Sequence, residues 1–370
     1  MAAIAVAASV WLVTLAIVAI DPFDMYPWGV RLRMEDRDYS FDAIPFALDV
    51  ATKESGTDAF LIGASTEAGF TRSLLSSLLP GIHHPQNLSY NGPRTPDRAL
   101  VDQLVLQNAH PKRVLLALDV PYYLTGDHAA RLNASSRFPS YLYDDTPVND
   151  VRMIGATAIR LAFAELRGKG FWLPEWGKSD DEKRGAVYAK FQSARSRALL
   201  ARQIAQIGTA VAARSGATCS DFTSLANDLV PFARQLSARH IALDLFFPPL
   251  SKAAYASWLA TPRAAASGPT IFSDGLLFRQ CAVDALSDIP GVRIFAFDNE
   301  DWITSDLSNY EDVSHLYNES IFAYMLRQMA NGRNRLTKAN VRTENARLLD
   351  GVLKFRLKPN ANEVSAAHGP

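Results

Sequence analysis

Serine, histidine and aspartate side chains that can act together in acyl chemistry stand at two places in the chain. Ser65 belongs to the segment Gly63-Ala64-Ser65-Thr66-Glu67, which follows a short apolar run and opens a helical pattern. Asp312 precedes His315 by three residues, just ahead of another helical pattern. A serine whose proton is taken by a histidine, itself held by an aspartate, is an activated nucleophile. The two segments are far apart in the chain, so this chemistry requires a fold that brings them together.

Each of these two segments also has a purely structural interpretation. Serine is among the commonest helix N-caps, and a serine such as Ser65 at a strand-to-helix turn is more often a cap than a nucleophile. A histidine such as His315 at a helix start is more often a solvated or capping residue, because only a partnered imidazole has catalytic use. The sequence alone leaves these alternatives open.

A third segment, running from Asn87 to Thr95, follows the next apolar run and supplies hydrogen-bond donors. The backbone N–H of Gly92 is a candidate donor to an oxyanion, which needs donors already aimed at the developing charge. The side chain of the neighbouring Asn91 is a second candidate. The competing interpretation is a turn, for which Asn-Gly-Pro is an ordinary sequence.

The elements that must position these residues alternate short apolar runs with helical patterns, which is typical of a parallel sheet covered by helices. Strands are predicted at 59–62, 84–88, 114–118, 241–247 and 292–297, and helices at 70–78, 96–107, 225–236 and 277–286. In such a sheet the loop after the first strand and the loop before the last helix share one edge. Residues 122–220 interrupt the alternation and are predicted to form a mainly helical insertion over this edge. Residues 332–370 are predicted to form a polar, loosely docked tail.

The N-terminal segment from Met1 to Ile20 contains no charged residue and is long enough for a membrane span. At about 1.5 Å per residue, a helix of this length covers roughly 30 Å, the thickness of a bilayer hydrocarbon core. A cleaved signal peptide and a buried core helix are the alternatives. The segment lacks a charged n-region and has no A-x-A site at its end, directly before Asp21, which favours an uncleaved anchor carrying an exported domain.

Composition excludes several classes of protein. The 370 residues are 48% hydrophobic, and 38 basic side chains balance 38 acidic ones. These values exclude bulk disorder and give no basic face for nucleic acid, so no nucleic-acid partner is predicted. Two cysteines, Cys219 and Cys281, are too few for a disulfide framework or a four-cysteine zinc site. In an exported domain they can form one disulfide, and the alternative is a pair of small buried thiols.

The order of the three chemical segments resembles that of the SGNH/GDSL hydrolases, over residues 58–118 and 241–328. The resemblance implies that Ser65 is the nucleophile and one oxyanion donor, with Gly92 as the next donor. It implies that Asp312 and His315 are the acid and base of the triad. Where the family's third segment has an asparagine donor, this chain has Asp119-Val120-Pro121-Tyr122. Asn91 would have to substitute for that donor, whose loss typically costs about 10²–10³ in rate.

The anchor, the segment after it and the insertion are most similar to one branch of that superfamily. This branch holds membrane-anchored proteins related to the D-alanyl transfer protein of teichoic-acid D-alanylation and to polysaccharide O-acetylation factors. The resemblance implies a flavodoxin-like three-layer α/β/α sandwich at 56–121 and 221–331, joined to the anchor by a linker at 21–55. It also implies an enzyme without cofactor or metal, a serine acyltransferase or esterase acting on a cell-surface polysaccharide with a membrane-bound O-acyltransferase. A bacterial cytoplasmic membrane is the implied location, with the domain on the outer side. The rival hypothesis is a non-catalytic accessory protein that binds glycan or the acyltransferase.

Other residues carry weaker predictions. His83 and His84 lack nearby carboxylates at metal-ligand spacing, so no metal site is predicted there. Asp244 and Asp298 are expected to be satisfied by backbone donors. The segment Phe246-Phe247-Pro248-Pro249 either lines the substrate cleft or is a packed strand end. The tryptophans that are candidates for stacking on sugars, or else for packing in the core, are Trp172, Trp176 and Trp258.

Overall fold

The protein is an α/β fold built on one five-stranded parallel sheet. The computed structural model describes residues 2–20, 52, 56–90, 95–108, 111–123, 217–260, 270–310, 312–316 and 318–356. The strands are β1 (Ala59–Ile62), β2 (Pro85–Asn87), β3 (Arg113–Ala117), β4 (Ala242–Phe247) and β5 (Val292–Ala296). They lie in the order β2-β1-β3-β4-β5 and every pair is parallel, which is the order of flavodoxin-like sheets. The predicted α/β class with a flavodoxin-like parallel sheet is confirmed, and all five predicted strands are found within one or two residues.

Helices precede, connect and follow the strands. In chain order they are α1 (Ala2–Ile20), α2 (Arg72–Leu78), α3 (Thr95–Asn108), α4 (Val230–Ala238), α5 (Lys252–Ala260), α6 (Ile271–Leu286), α7 (Asp301–Thr304), α8 (Glu319–Ala330) and α9 (Val341–Lys354). A π-helical turn at Leu225–Leu229 leads into α4.

Both faces of the sheet are buried, which explains why the strands are continuous apolar runs rather than alternating ones. Every second side chain along the strands, such as Leu116 and Leu245, packs in one cluster with Phe232 of α4 and Phe278 of α6. The side chains between them, such as Leu115, pack on the opposite face in a cluster with α2 and α8. This arrangement places the carboxyl ends of all five strands at one edge, where loops are free to carry polar groups.

Helix α9 corrects the prediction of a loosely docked tail. Its side chains Val341, Leu348 and Val352 are at most 2% exposed. Leu348 and Val352 pack in a third apolar cluster with Tyr255 of α5. The tail is therefore docked over 341–354, and its apolar residues are spaced as on one face of a helix.

The two cysteines form a disulfide. Cys219 lies in a short 3₁₀ helix, Cys219–Asp221, and Cys281 lies on α6, with 5.5 Å between their Cα atoms. Of the two alternatives that the sequence leaves open, the bridge is confirmed.

Several predicted segments lie outside the described residues. These are most of the linker at 21–55 and of the insertion at 122–220, including Trp172 and Trp176. Among the described residues, no helix combines the length and the apolarity required to cross a membrane.

Candidate active site

Ser65 stands on a tight turn at the carboxyl end of β1. The chain leaves the strand through Gly63 and Ala64 and enters a short 3₁₀ helix, Ser65–Glu67. The Ala64 N–H donates to Oε2 of Glu67 at 2.7 Å, so the Glu67 side chain folds back under the turn. A Cβ on Gly63 would lie 2.7 Å from Cγ and from Oε2 of Glu67, which is closer than real contacts allow. Glycine at 63 is therefore required for the buried glutamate to hold the turn.

Strand β2 holds the far side of the same turn. The Asn87 side-chain amide donates to the carbonyl of Glu67 at 3.1 Å and to the carbonyl of Phe70 at 2.9 Å. Its oxygen accepts from the Ser89 N–H at 2.8 Å. Asn87, the last residue of β2, therefore fixes the turn that carries Ser65. Asn91 and Gly92, the predicted oxyanion donors after β2, lie outside the described residues.

His315 lies on the loop between the short 3₁₀ helix Leu307–Asn309 and α8. Tyr310, fully buried, anchors the start of this loop by donating its hydroxyl to the Pro249 carbonyl at 2.8 Å. The Val313 carbonyl accepts from the Ser251 N–H at 3.2 Å and from its hydroxyl at 2.6 Å. These contacts tie the loop to the chain that leads from β4 into α5. The base loop and the nucleophile turn thus meet at the carboxyl edge of the sheet.

Ser65, His315 and Asp312 form a continuous hydrogen-bonded row. Ser65 Oγ lies 2.8 Å from His315 Nε2, and His315 Nδ1 lies 2.7 Å from Asp312 Oδ2. The other oxygen of Asp312 accepts the N–H groups of Ser314 at 2.7 Å and of His315 at 2.8 Å. The structure therefore brings together the three residues that the sequence predicts to form a triad.

The carboxyl of Asp312 is held in its charged form. Partial burial acts to raise its pKa, but the hydrogen bond from the His315 ring, the charge of that ring and the two backbone donors together lower the pKa to about 2. A carboxylate at this position favours the ring tautomer with its proton on Nδ1. Nε2 then has a free lone pair facing Ser65 and can accept the serine proton.

Two buried acidic residues, Glu67 and Asp119, lie beneath the nucleophile. The sequence analysis does not identify either of them as part of the site. Asp119 pairs with Arg98 at 3.1 Å, and Arg98 also donates to the Ala117 carbonyl at 2.8 Å. Glu67 is fully buried, and burial followed by the nearby Asp119 charge raises its pKa well above 4.5. Burial also raises the pKa of Asp119, but Arg98 opposes that shift. Since Arg98 pairs directly with Asp119, a negative charge is better stabilised on Asp119 than on Glu67.

A cavity of about 200 Å³ opens in front of Ser65 and His315. Its walls are the end of β4 at Phe247 and Pro248, helix α5, and the segment that follows β3. Phe247 and Trp258 therefore belong to the cleft, whereas Phe246 packs in the core on the other face of the sheet. The lining is mostly apolar apart from the reacting groups, which suits an ester that must be held out of water.

The remaining candidate residues have structural partners. The backbone N–H groups of His83 and His84 donate to the carboxylate of Asp58 at 2.7 and 2.9 Å. Within the described part of the chain, no three metal-binding side chains cluster. Asp244 pairs with Arg293 at 2.7 Å, so the expectation of backbone partners is wrong for this residue. Asp298 pairs with Arg279 and also accepts from its own backbone N–H, so a backbone donor is present there as expected.

Comparison of the chain with protein-family models and with curated proteins found no match. The resemblance to SGNH/GDSL hydrolases therefore stays a prediction from the residues, and function has to be argued from the geometry of the site.

Proposed function

We propose that this protein is a serine acyltransferase or esterase of the SGNH hydrolase type. The observation that carries the proposal is the row from Ser65 Oγ through the His315 ring to Asp312, with gaps of 2.8 and 2.7 Å, at the mouth of an apolar cavity. A serine that merely caps a helix needs no imidazole on its hydroxyl. A capping histidine needs no carboxylate on Nδ1. Both contacts are what nucleophilic catalysis requires.

The first half of the reaction transfers the acyl group to the enzyme. Ser65 Oγ attacks the ester carbonyl carbon while Nε2 of His315 takes the serine proton. The tetrahedral intermediate then collapses, the bond between the carbonyl carbon and the alcohol oxygen breaks, and His315 returns the proton to the leaving alcohol. The acyl group is now esterified to Ser65. Asp312 stays ionised throughout and stabilises the imidazolium.

The second half regenerates the serine. An acceptor hydroxyl attacks the acyl carbon, His315 takes its proton, and the bond from Ser65 Oγ to the carbon breaks as the serine regains a proton. Water as acceptor gives hydrolysis, and a sugar hydroxyl gives acyl transfer. The oxyanion formed in each half is stabilised by the Ser65 N–H, and Gly92 and Asn91 are the proposed further donors.

The substrate class, partner and location are proposed from the sequence resemblance. The acceptor or donor is a cell-surface polysaccharide or related glycopolymer, and the partner is a membrane-bound O-acyltransferase. Membrane attachment through the N-terminal segment stays a prediction. The exposure of Trp11, Leu12 and Leu15 on α1, each above half, supports contact of this helix with an apolar environment. Retention of the full chain in carbonate-washed membranes tests this attachment.

The experiment that tests the function is ester turnover by the purified full chain. We expect hydrolysis of 4-nitrophenyl acetate that Ser65→Ala abolishes, and transfer to added polysaccharide acceptor that depends on the same residue. Ser77→Ala is the matched control, because Ser77 is an exposed serine on α2 whose hydroxyl donates to the Leu74 carbonyl. If turnover is equal in Ser65→Ala and wild type, the proposal is wrong. Glycan binding without turnover then favours the accessory-protein hypothesis.

A further inference from the structure

The cavity beside Ser65 has a wall of aromatic side chains that is built rigidly. Tyr255 and Trp258, three residues apart on α5, face each other edge to face with ring centroids 5.7 Å apart. Tyr255 packs in the same manner on Phe272 of α6. Its hydroxyl donates to the Pro248 carbonyl, at 3.5 Å. The aromatic wall is thus fixed by packing against α6 and by the hydrogen bond of Tyr255.

The described lining of the cavity offers little charge that a ligand can use. Of the lining residues that the structure describes, Asp119 and His315 are the ionisable ones apart from the tyrosine. Asp119 is already paired with Arg98, and His315 is occupied by Asp312 and Ser65. Burial raises the pKa of Tyr255 well above 10, so its phenol stays neutral. An ammonium group placed here would lose its water without gaining a carboxylate of its own.

The size of the cavity bounds the length of the group it accepts. A dry apolar cavity of about 150 Å³ is enough to hold a molecule of benzene. The volume here is about 200 Å³. An acyl chain of up to about six carbons therefore fits, and longer chains exceed this volume.

We infer that this cavity is an acyl-binding pocket for short, uncharged acyl groups, and that it discriminates against acyl groups carrying an ammonium. The inference rests on the proposed acyl-enzyme at Ser65 and narrows it, since it selects acetyl-type over aminoacyl-type substrates. The pocket holds the acyl group of the ester while the alcohol or sugar portion points to solvent. Trp258 and Tyr255 determine specificity by contact with the acyl chain.

The test compares two esters of almost identical shape. The alanine 4-nitrophenyl ester has an ammonium group where the isobutyrate 4-nitrophenyl ester has a methyl group. Both esters are assayed at pH 6 with the full chain. Spontaneous hydrolysis is subtracted with Ser65→Ala. We expect kcat/KM for isobutyrate to exceed that for alanine by at least tenfold. An equal or higher value for the alanine ester, with Ser65-dependent turnover intact, overturns the inference alone. Absence of Ser65-dependent turnover with every ester overturns the proposed function, and the inference with it.

A chain-length series tests the wall itself. Wild-type protein is expected to hydrolyse acetate, butyrate and hexanoate esters, and to hydrolyse the decanoate ester at least tenfold more slowly. Trp258→Ala removes part of the aromatic wall. It should raise the rate of decanoate hydrolysis relative to that of acetate hydrolysis by about tenfold. Trp302→Ala is the matched control, because it removes an indole that is half exposed and lies against Tyr324. If Trp258→Ala and Trp302→Ala change the ratio equally, the aromatic wall does not select the acyl chain.

Discussion

The substitution Asp312→Asn changes one atom of the triad and tests how His315 is held. In the wild type, Oδ2 accepts from His315 Nδ1 at 2.7 Å, while Oδ1 accepts two backbone N–H groups. The substituted amide has a single oxygen, and the two backbone donors will retain it. Its NH₂ group then faces Nδ1 and donates to it. The ring is forced into the tautomer with the proton on Nε2, 2.8 Å from Ser65 Oγ.

The expected effect on rate is large and the expected effect on stability is small. A ring protonated on Nε2 cannot take the serine proton, and this tautomer change costs about 10⁴ in kcat in serine enzymes. At 1.36 kcal/mol per factor of ten, the barrier rises by about 5.4 kcal/mol. The side chains of Asp312 and His315 are 46% and 36% exposed, so the folded state should lose at most about 1 kcal/mol.

The assay is 4-nitrophenyl acetate hydrolysis by the purified full chain, with denaturant unfolding as the measure of stability. Asp306→Asn is the control, since Asp306 is an exposed aspartate that accepts from the Ser308 N–H in the same region. We expect Asp306→Asn to keep wild-type turnover. A turnover of Asp312→Asn within tenfold of wild type would refute the assignment of Asp312. Because the pKa of Asp312 is about 2, its ionisation does not account for any loss of activity between pH 4 and pH 9.

Three further predictions concern the scaffold of the site. The raised pKa of Glu67 means that the folded state holds its proton more tightly than the unfolded state, so its contribution to stability falls as pH rises above 4.5. Glu67→Gln should therefore gain stability over wild type between pH 4.5 and pH 8 in urea unfolding, and a pH-independent difference contradicts the assignment. Gly69→Ala places a Cβ 2.1 Å from the ring of Phe322 and should lower the free energy of unfolding by about 1–3 kcal/mol in the same measurement. An unchanged unfolding midpoint would contradict this prediction and show that the ring can move away. Cys219→Ala opens a loop of 62 residues and should lower the free energy of unfolding by about 4 kcal/mol in the chain-entropy description. A decrease of less than about 1 kcal/mol contradicts this prediction.

The strands and the individual residues of the candidate triad were predictable because each has a recognisable pattern in its local sequence. Strands buried on two faces are short apolar runs, and Ala59–Ile62 is one of them. Ser65 and His315 are recognisable because each stands where a helix begins next to small or acidic residues. Their meeting follows from the parallel sheet, which brings all carboxyl ends of the strands to one edge.

Helix α5 and Glu67 were not predictable, for two different reasons. In Lys252–Ala260 most side chains are buried, so the segment lacks the alternation of apolar and polar residues that identifies a surface helix. The run Pro248-Pro249 before it is typical of a strand end rather than of a helix start. Glu67 has the position of an ordinary acidic residue in a first turn. Only the tertiary packing over Gly63 shows that it is buried beneath the nucleophile.

The central claim is that His315 activates Ser65, and covalent labelling with a fluorophosphonate tests it most directly. In this reaction Ser65 Oγ displaces fluoride from phosphorus and His315 takes the serine proton. Intact-protein mass spectrometry, followed by peptide mapping, should find one adduct on Ser65 in the wild type and in Ser77→Ala. It should find no adduct in Ser65→Ala, and labelling at least a hundredfold slower in His315→Ala. An unlabelled wild type that is folded by circular dichroism, or labelling at the same rate without His315, would contradict the account.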